Sequence, residues 1–416
     1  MRTPSWWLPA GVEPAAAWLL ASRMLRGFAD GYVAVLLPAY LGALGFGVVQ
    51  IGLLGTLTLA GSAAATIAVG ALGHRYPASR LMFAAALTMV ATGLGFAGLH
   101  AFWPLALVAF VGTLNPSSGD VSVFLPLEHA RLARATTHSH ARTALFSRYA
   151  LAGGLSAAIG ALASAWPAWW HAHTGGSMLD AMRAMFVLYA LIGAVVALLY
   201  RGFIAHERRD RAATSADTAT NLDAPQPLGP SRGIVVRLAS LFCIDSFAGG
   251  LLVNSILALW LFQRFGLSLA GAGQFFFWSG LMMTASQLLA PVLARRFGLV
   301  NTMTFTHIPA SLFLIAASVT TSLPAALACL LLRSVLSSMD VPARNAFVMA
   351  VVTPPERAAA ASFTAVPRSL ASALGPTIGA SLLASGVLAA PLVACGTLKI
   401  VYDLALLAMF RRHPVD

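Results

Sequence analysis

Twelve mostly apolar runs, each of about twenty residues or more, follow one another along this chain, at 16–42, 48–72, 80–99, 103–128, 143–165, 181–201, 234–262, 268–293, 301–321, 324–350, 359–386 and 388–410. A helix needs about 20 such residues to cross the hydrocarbon core of a bilayer. Only helices and closed barrels satisfy every backbone polar group there, and these runs are too long and too little alternating for barrel strands. Charged residues make up 10% of the 416, where a soluble chain would carry about 25%. The pattern excludes a soluble fold and predicts an all-α polytopic membrane protein with twelve transmembrane helices.

Arginine sets the orientation. With twelve spans both ends lie on one side, whose loops hold Arg75, Arg80, Arg131, Arg134, Arg142, Arg201, Arg295, Arg296 and Arg357 among others. The opposite loops hold only Arg183 and Arg264. The positive-inside rule puts both termini and the central loop in the cytoplasm. Topology accounts for the formal charge of +12, and no nucleic-acid partner is expected. Arg23 and Arg26 interrupt the first run, so no cleavable signal is expected. Trp6 and Trp7 suit either a membrane–water interface or a disordered tip.

The stretch 202–233 is the one long polar segment, with HERRDR at 206–211 followed by a tract ending in PQPLGPSRG. Such a composition predicts a flexible linker. The expected organisation is an N-terminal six-helix bundle at 1–201, a cytoplasmic linker at 202–233 and a C-terminal six-helix bundle at 234–416. Cys243, Cys329 and Cys395 all fall in apolar runs without metal spacing and are expected to be small core residues.

The two halves repeat. SSGDV at 117–121 recurs as SSMDV at 337–341, so Asp120 and Asp340 lie 220 positions apart. Arg148 and Arg368 also lie 220 apart, each following its aspartate by 28 residues. His74-Arg75 corresponds to Arg295-Arg296 at an offset of 221, and Asp30 to Asp245 at 215. Near-constant offsets with the same order of runs indicate parallel halves related by an axis along the membrane normal.

This layout of six plus six spans around a cytoplasmic loop resembles the major facilitator superfamily (MFS), over essentially the whole chain. The superfamily's commonest signature, Gly-x-x-x-Asp-Arg-x-Gly-Arg-Arg after the second helix, is partly present. GALGHRYPAS keeps Gly70 and Arg75, with His74 in place of Asp and Pro77 in place of Gly. PVLARRFGLV keeps Arg296 and Gly298, with Arg295 in place of Asp. The antiporter pattern Gly-Pro-x-x-Gly-Gly is absent from the fifth run, while the eleventh carries Gly375, Pro376 and Gly379. That remnant is either an export feature or a helix-packing kink. The resemblance implies the MFS fold, with two pseudo-symmetric six-helix bundles that rock about a midplane site.

Charges inside the bilayer cost roughly 2.5–3.5 kcal/mol each on insertion scales, so those in these runs must pair, meet water or serve function. Asp30 and Asp245 fall near the middle of the first and seventh runs, which by the resemblance line the central cavity. They are the candidates for proton coupling. Arg26, one turn before Asp30, is either a displaceable counter-ion or a permanent partner. Asn254, Arg333 and Arg344 are further cavity candidates. Asp120 with Arg148, and Asp340 with Arg368, are expected to pair across adjacent antiparallel helices, as structural clamps or as a gate. Arg344 and Glu128 could enlarge these networks, and Glu128 could replace the missing motif Asp as partner of Arg75. Lys399 and Asp403, four apart, are expected to neutralise each other. His307 is expected to be a hydrogen-bonded core histidine, His171 and His173 are too sparse for a metal site, and Phe275–Trp278 with Met282 and Met283 form either a substrate wall or a lipid-facing surface.

The expected function is secondary active transport of a small organic molecule by alternating access. Proton-coupled efflux across the cytoplasmic (inner) membrane, as an antiporter, is the favoured form. The expected partners are a small-molecule substrate, protons and the lipid bilayer; the expected state is a monomer, without metal or cofactor. One alternative is uptake or exchange of an anionic metabolite, motivated by Arg26, Arg333 and Arg344. Another is a transport-dead receptor or assembly factor of the same fold. With no ATP-binding loop, nucleophile triad or metal-ligand cluster in view, an enzyme is not expected.

Overall fold

The computed structural model describes residues 8–72, 75–117, 122–136, 138–213 and 228–411, and every regular element among them is a helix. This is the outcome a bilayer demands of a chain that cannot close a barrel. The first three runs form α1 (Ala16–Ala43), α2 (Val48–Leu72) and α3 (Ala78–Gly98). The fourth is split into α4 (Phe102–Val111) and α5 (Phe124–Arg134). Next come α6 (Ser139–Ala163), the short α7 (Trp166–Thr174) and α8 (Met178–Ala213). The seventh run is α9 (Arg232–Leu251) and α10 (Asn254–Phe265), followed by α11 (Leu269–Phe297) and α12 (Leu299–Val319). The tenth is α13 (Leu323–Leu336) and α14 (Asp340–Ala350), and the last two are α15 (Arg357–Ala384) and α16 (Ala390–Phe410). Nine helical segments among the described residues are long and apolar enough to cross a membrane. With α1 and α15, 28 residues each, and the divided fourth run, the layout is compatible with twelve spans.

The breaks within runs have local causes. Gly112 ends α4, and Asn115 then folds a turn in which its Oδ1 accepts from the N–H and the hydroxyl of Ser117, at 3.2 and 2.7 Å. In the tenth run Ser337–Met339 separate α13 from α14. Asp340 then stands in the first turn of α14, where a carboxylate favours the helix dipole. Pro342 is tolerated in that turn because the N–H it lacks has no partner there. The second copy of the SS-x-D-V motif therefore falls at a break, while 118–121 of the first copy lie outside the described residues. The expected linker is partly helical: α8 continues through 202–213, and 214–227 lie outside the described residues. In the second copy of the loop signature Gly298 has φ +85°, which only glycine adopts freely. Pro77 of the first copy has φ −58° and leads directly into α3.

The chain divides into two compact units, one of Met1–Phe46, Leu57–Thr218 and Ser268–Phe277, the other of Gly47–Thr56, Ala219–Leu267 and Trp278–Asp416. In the first, α1 lies against α6 at backbone distance. A Cβ on Gly31 would come within 2.0 Å of the Ala157 carbonyl oxygen, and one on Gly160 within 2.0 Å of the Phe28 carbonyl oxygen. The core beside this contact stacks Phe96 on Phe186 and tilts Tyr40 against Phe186, with ring centroids 5.3 and 4.7 Å apart.

In the second unit α9 and α15 use the same device. A Cβ on Gly379 would lie 2.0 Å from the Leu251 carbonyl oxygen, and one on Gly375 2.1 Å from the Gly250 carbonyl carbon. The Gly-Pro remnant thus sits on a close helix contact, as small residues do in bilayers. Val235, Leu238, Phe242, Met303, Phe347, Tyr402 and Phe410 form the core nearer the α9 start. Side chains such as Trp103, Leu198, Phe305 and Leu374 stay exposed in both units, as lipid-facing positions must.

Candidate functional site

Each unit holds its own buried ionic cluster. In the first, Glu128 on α5 is 0% exposed and all its acceptor sites are used. Oε1 accepts from the hydroxyls of Ser22 at 2.9 Å and Tyr200 at 2.6 Å, and Oε2 from the Arg26 guanidinium and the Tyr149 hydroxyl. The Arg26 guanidinium also lies over the Phe124 ring, 4.1 Å from its centroid. A buried carboxylate with four donors, one of them cationic, meets the conditions under which such a charge is retained.

Asp30, one turn further along α1, borders a small void with Arg26, Met89, Thr113, Ser122, Phe124 and Tyr189. Its wall is polar: the Tyr189 hydroxyl donates to the Thr113 carbonyl oxygen at 3.0 Å.

The second cluster gathers charges from four spans around Asp245, 6% exposed on α9. Lys399 Nζ of α16 donates to Asp245 Oδ1 at 2.6 Å, and Arg344 of α14 donates to Oδ2 at 3.1 Å. Arg344 also meets Asp340, one turn back on α14, at 3.2 Å. His307 of α12 lies between Lys399 and Asp403, its Nδ1 3.0 and 3.1 Å from the two oxygens of Asp403. Aspartate, arginine, lysine and histidine thus form one continuous buried network.

Several expected partners are exchanged. Arg26 turns to Glu128 instead of serving Asp30 alone, because the carboxylate at the facing end of α5 completes a set of four donors. Glu128 is consequently not the partner of Arg75, which is exposed. Arg368 donates to the Ser246 hydroxyl at 3.1 Å and not to Asp340, which the neighbouring Arg344 takes. Lys399 and Asp403 do not neutralise each other; α9 and α12 offer each a better-placed partner. Asp120 lies outside the described residues, and so does its expected pair with Arg148. Asn254 begins α10, directly after the break in the seventh run. The Arg333 carbonyl accepts from the Ser337 N–H at 2.9 Å, while its guanidinium makes no hydrogen bond or ion pair with a described residue.

Phe275 and Phe276 are buried whereas Trp278 is exposed, so the aromatic run does not present one wall. His171 and His173 bond the carbonyl oxygens of Gly176 and Trp169. A cleft of about 550 Å³ lined by Ser231, Ile234, Arg237, Val351 and Phe410 contains none of the predicted site residues.

Tyr149, Tyr200 and Ser22 were not singled out in the sequence, and His307, Lys399 and Asp403 were given local roles. The signal for the tyrosines was their place beside Arg148 and Arg201, towards the expected cytoplasmic ends of the fifth and sixth runs.

Outside the spans, Glu356 ties the loop after α14 to the start of α9. It accepts from the N–H of Gly229 at 2.8 Å and of Ser231 at 3.1 Å. The Ser231 hydroxyl and these two N–H groups hold the Glu356 carboxyl below the ordinary carboxylate range.

The family model described as Major Facilitator Superfamily matches residues 19–331. A Saccharomyces cerevisiae protein, YJR124C, described as an uncharacterized membrane protein, is 24% identical over 417 residues, covering 94% of this chain and 93% of its own. Among solved structures, the nucleoside transporter NupG matches with a TM-score of 0.69 at 15% identity, over 95% of this chain and 100% of that one. A D-xylose-proton symporter matches with a TM-score of 0.70 at 16% identity, over 96% and 98%. The human organic anion transporter MFSD10 (TETRAN) matches with a TM-score of 0.65 at 18% identity, over 94% and 98%. At these identities the structural likeness carries the fold alone.

Proposed function

The chain belongs to the major facilitator superfamily and is a membrane transporter, not an enzyme; from that premise we propose that it moves a small organic molecule by proton-coupled alternating access. We favour efflux, with both termini cytoplasmic, in a cell's inner membrane. The observation that carries the reading is the environment of Asp245: one buried carboxylate within a span holds two cations, Lys399 and Arg344. Such a group is costly in a bilayer and is kept where its charge state matters. A proton entering this network would weaken the hold of Asp245 on its cations, which links protonation to the packing of α9, α14 and α16. Asp30, beside its polar void, is the corresponding carboxylate of the first unit. Reconstitution into liposomes with an imposed pH gradient tests this: efflux by proton exchange requires solute to accumulate against an oppositely directed proton gradient. A rate independent of the gradient contradicts the coupling.

Arg333 favours a second reading. A guanidinium in α13 with no partner among the described residues would suit an anionic substrate, taken up or exchanged. Arg26 and Arg344 are already engaged by Glu128 and by Asp245 with Asp340, which leaves Arg333 to carry this reading. Loss of anion selectivity in R333Q with coupling intact supports it. A receptor of the same fold would bind solute without flux and keep full activity in D30N and D245N.

A further inference from the structure

His307 is 3% exposed on α12 and stands between two carboxylates and an ammonium. Its Nδ1 lies within hydrogen-bond distance of both oxygens of Asp403. Its Nε2 is 3.3 Å from Lys399 Nζ and 3.9 Å from Asp245 Oδ1. The partners assign the ring hydrogens. An ionised carboxylate only accepts, so Nδ1 carries the hydrogen; an ammonium only donates, so Nε2 is the acceptor. In this tautomer Nε2 keeps its lone pair.

Resting on the coupled-transport reading above, we propose that His307 is the proton-binding residue of the second unit, and that a proton on Nε2 displaces Lys399 from it. The step forms one N–H bond at Nε2 and breaks one hydrogen bond, Lys399 Nζ to Nε2. The imidazolium has no lone pair left to accept, so Nε2–H and the Lys399 ammonium face each other as like charges. Asp245 Oδ1, which now takes Lys399, lies 3.9 Å from Nε2 and can accept from the new N–H. Imidazolium and lysine thus compete for one carboxylate, and the arrangement has two discrete states.

The surroundings leave this exchange room in one direction. On α16, His307 meets Lys399, Asp403 and Tyr402, whose ring stands edge-on with centroids 6.1 Å apart; Cys395 lies on the same helix. On α9 it faces Asp245, with Arg344 and Asp340 of α14 behind. Arg333 lies on α13, which packs against α12, and Arg368 of α15 is held by Ser246. Arg344 is fixed between two aspartates, whereas the Lys399 side chain is 13% exposed, more than either Asp245 or His307. A Cβ on Gly249 would lie 3.9 Å from Lys399 Nζ, so the ammonium abuts a side-chain-free turn just before the break between α9 and α10. Displacing Lys399 therefore acts on the point where the seventh span is interrupted.

Lys399 is the only lysine in the chain, which makes it its own reporter. The full-length protein in detergent micelles, labelled with lysine carrying 13C at Cε, yields one lysine side-chain resonance. It is titrated from about pH 8 to about pH 5, the window in which an imidazole changes charge. The expected result is a single step in the Lys399 shift, absent in H307Q. In D403N, which keeps the imidazole but gives Nδ1 a neutral partner, the step moves to lower pH. A flat wild-type resonance, or a step that survives H307Q, overturns the proposal. If H307Q does not fold, D403N decides: a step moved to lower pH supports the proposal, and a step unmoved or lost overturns it. The outcome is separable from that of the transport reading. A step without pH-dependent flux retains the proton site and removes coupling; coupled flux without a step overturns this site and returns coupling to carboxylates such as Asp30.

Discussion

Lys399 Nζ lies 2.6 Å from Asp245 Oδ1, reaching from α16 to α9, while Asp403, one turn further along α16, is held by His307. A helix that would carry a self-neutralised pair instead contributes two separate charges to an inter-helix network. This ties the last span, through Asp245, to the seventh and the tenth.

Replacing Asp245 by Asn leaves Lys399 and Arg344 buried against a neutral amide. Removing one member of a buried ion cluster costs about 3–5 kcal/mol, so the unfolding midpoint in detergent is expected to fall sharply in D245N. D245N/K399M removes the stranded cation with the carboxylate and is expected to recover part of that loss. A double variant no better than the sum of the two singles contradicts the coupling.

Glu128 makes a parallel case in the first unit. Y149F and Y200F each delete one hydroxyl donor to its carboxylate, and hydrogen bonds to charged groups contribute about 1.5–3 kcal/mol. Both variants are expected to unfold earlier than wild type, and the effect of either is expected to vanish in an E128Q background. A full-sized effect of Y200F in that background would place the tyrosine's contribution elsewhere.

Acid acts on the Glu356 tie. Because its carboxyl is held below the ordinary range, its contribution is complete above the unfolded carboxylate pKa of about 4.3. It is lost as pH falls through the lower folded value. The protection of the Gly229 and Ser231 amides relative to their intrinsic exchange rates is therefore expected to be high at neutral pH and to fall only on strong acidification. E356Q is expected to exchange faster than wild type at neutral pH. Equal exchange in the two proteins at pH 7 rules the tie out.

Close helix contact makes a further prediction. A methyl on Gly31 or Gly379 meets backbone at 2.0 Å, whereas one on Gly70 meets nothing within 4 Å. G31A and G379A are expected to force α1 from α6 and α9 from α15, lowering the midpoint. G70A is expected to be neutral or stabilising by up to about 1 kcal/mol, since alanine favours a helix over glycine. Equal behaviour of all three contradicts the packing described.

The spans were legible because a bilayer leaves helices little alternative: most limits agree closely, as with 16–42 against Ala16–Ala43, although α8 runs on from the expected 201 to Ala213. The breaks were not, because Gly112 with an Asn115 turn, or Ser337–Met339 ahead of α14, interrupt a helix without interrupting the run as read. Charge partners were the least legible. Spacing of four shows that Arg26 and Asp30, or Lys399 and Asp403, share a helix face. It does not show what the facing helix offers, and Glu128 lies 102 positions from Arg26 while Asp245 lies 154 from Lys399. The repeat of Asp120 and Asp340 pointed to a duplication, but the clusters described in the two units are built from different residues.

Proton coupling through Asp245 is the central claim, and flux under a pH gradient tests it most directly. A small organic compound selected by thermal shift from a panel is loaded with the purified protein in liposomes, and its movement is followed with the gradient imposed in each direction. Wild-type protein is expected to drive the compound opposite to the proton gradient and to reverse when the gradient is reversed, while D245N shows only gradient-independent exchange. Gradient-driven transport that persists at the wild-type rate in D245N would contradict the account.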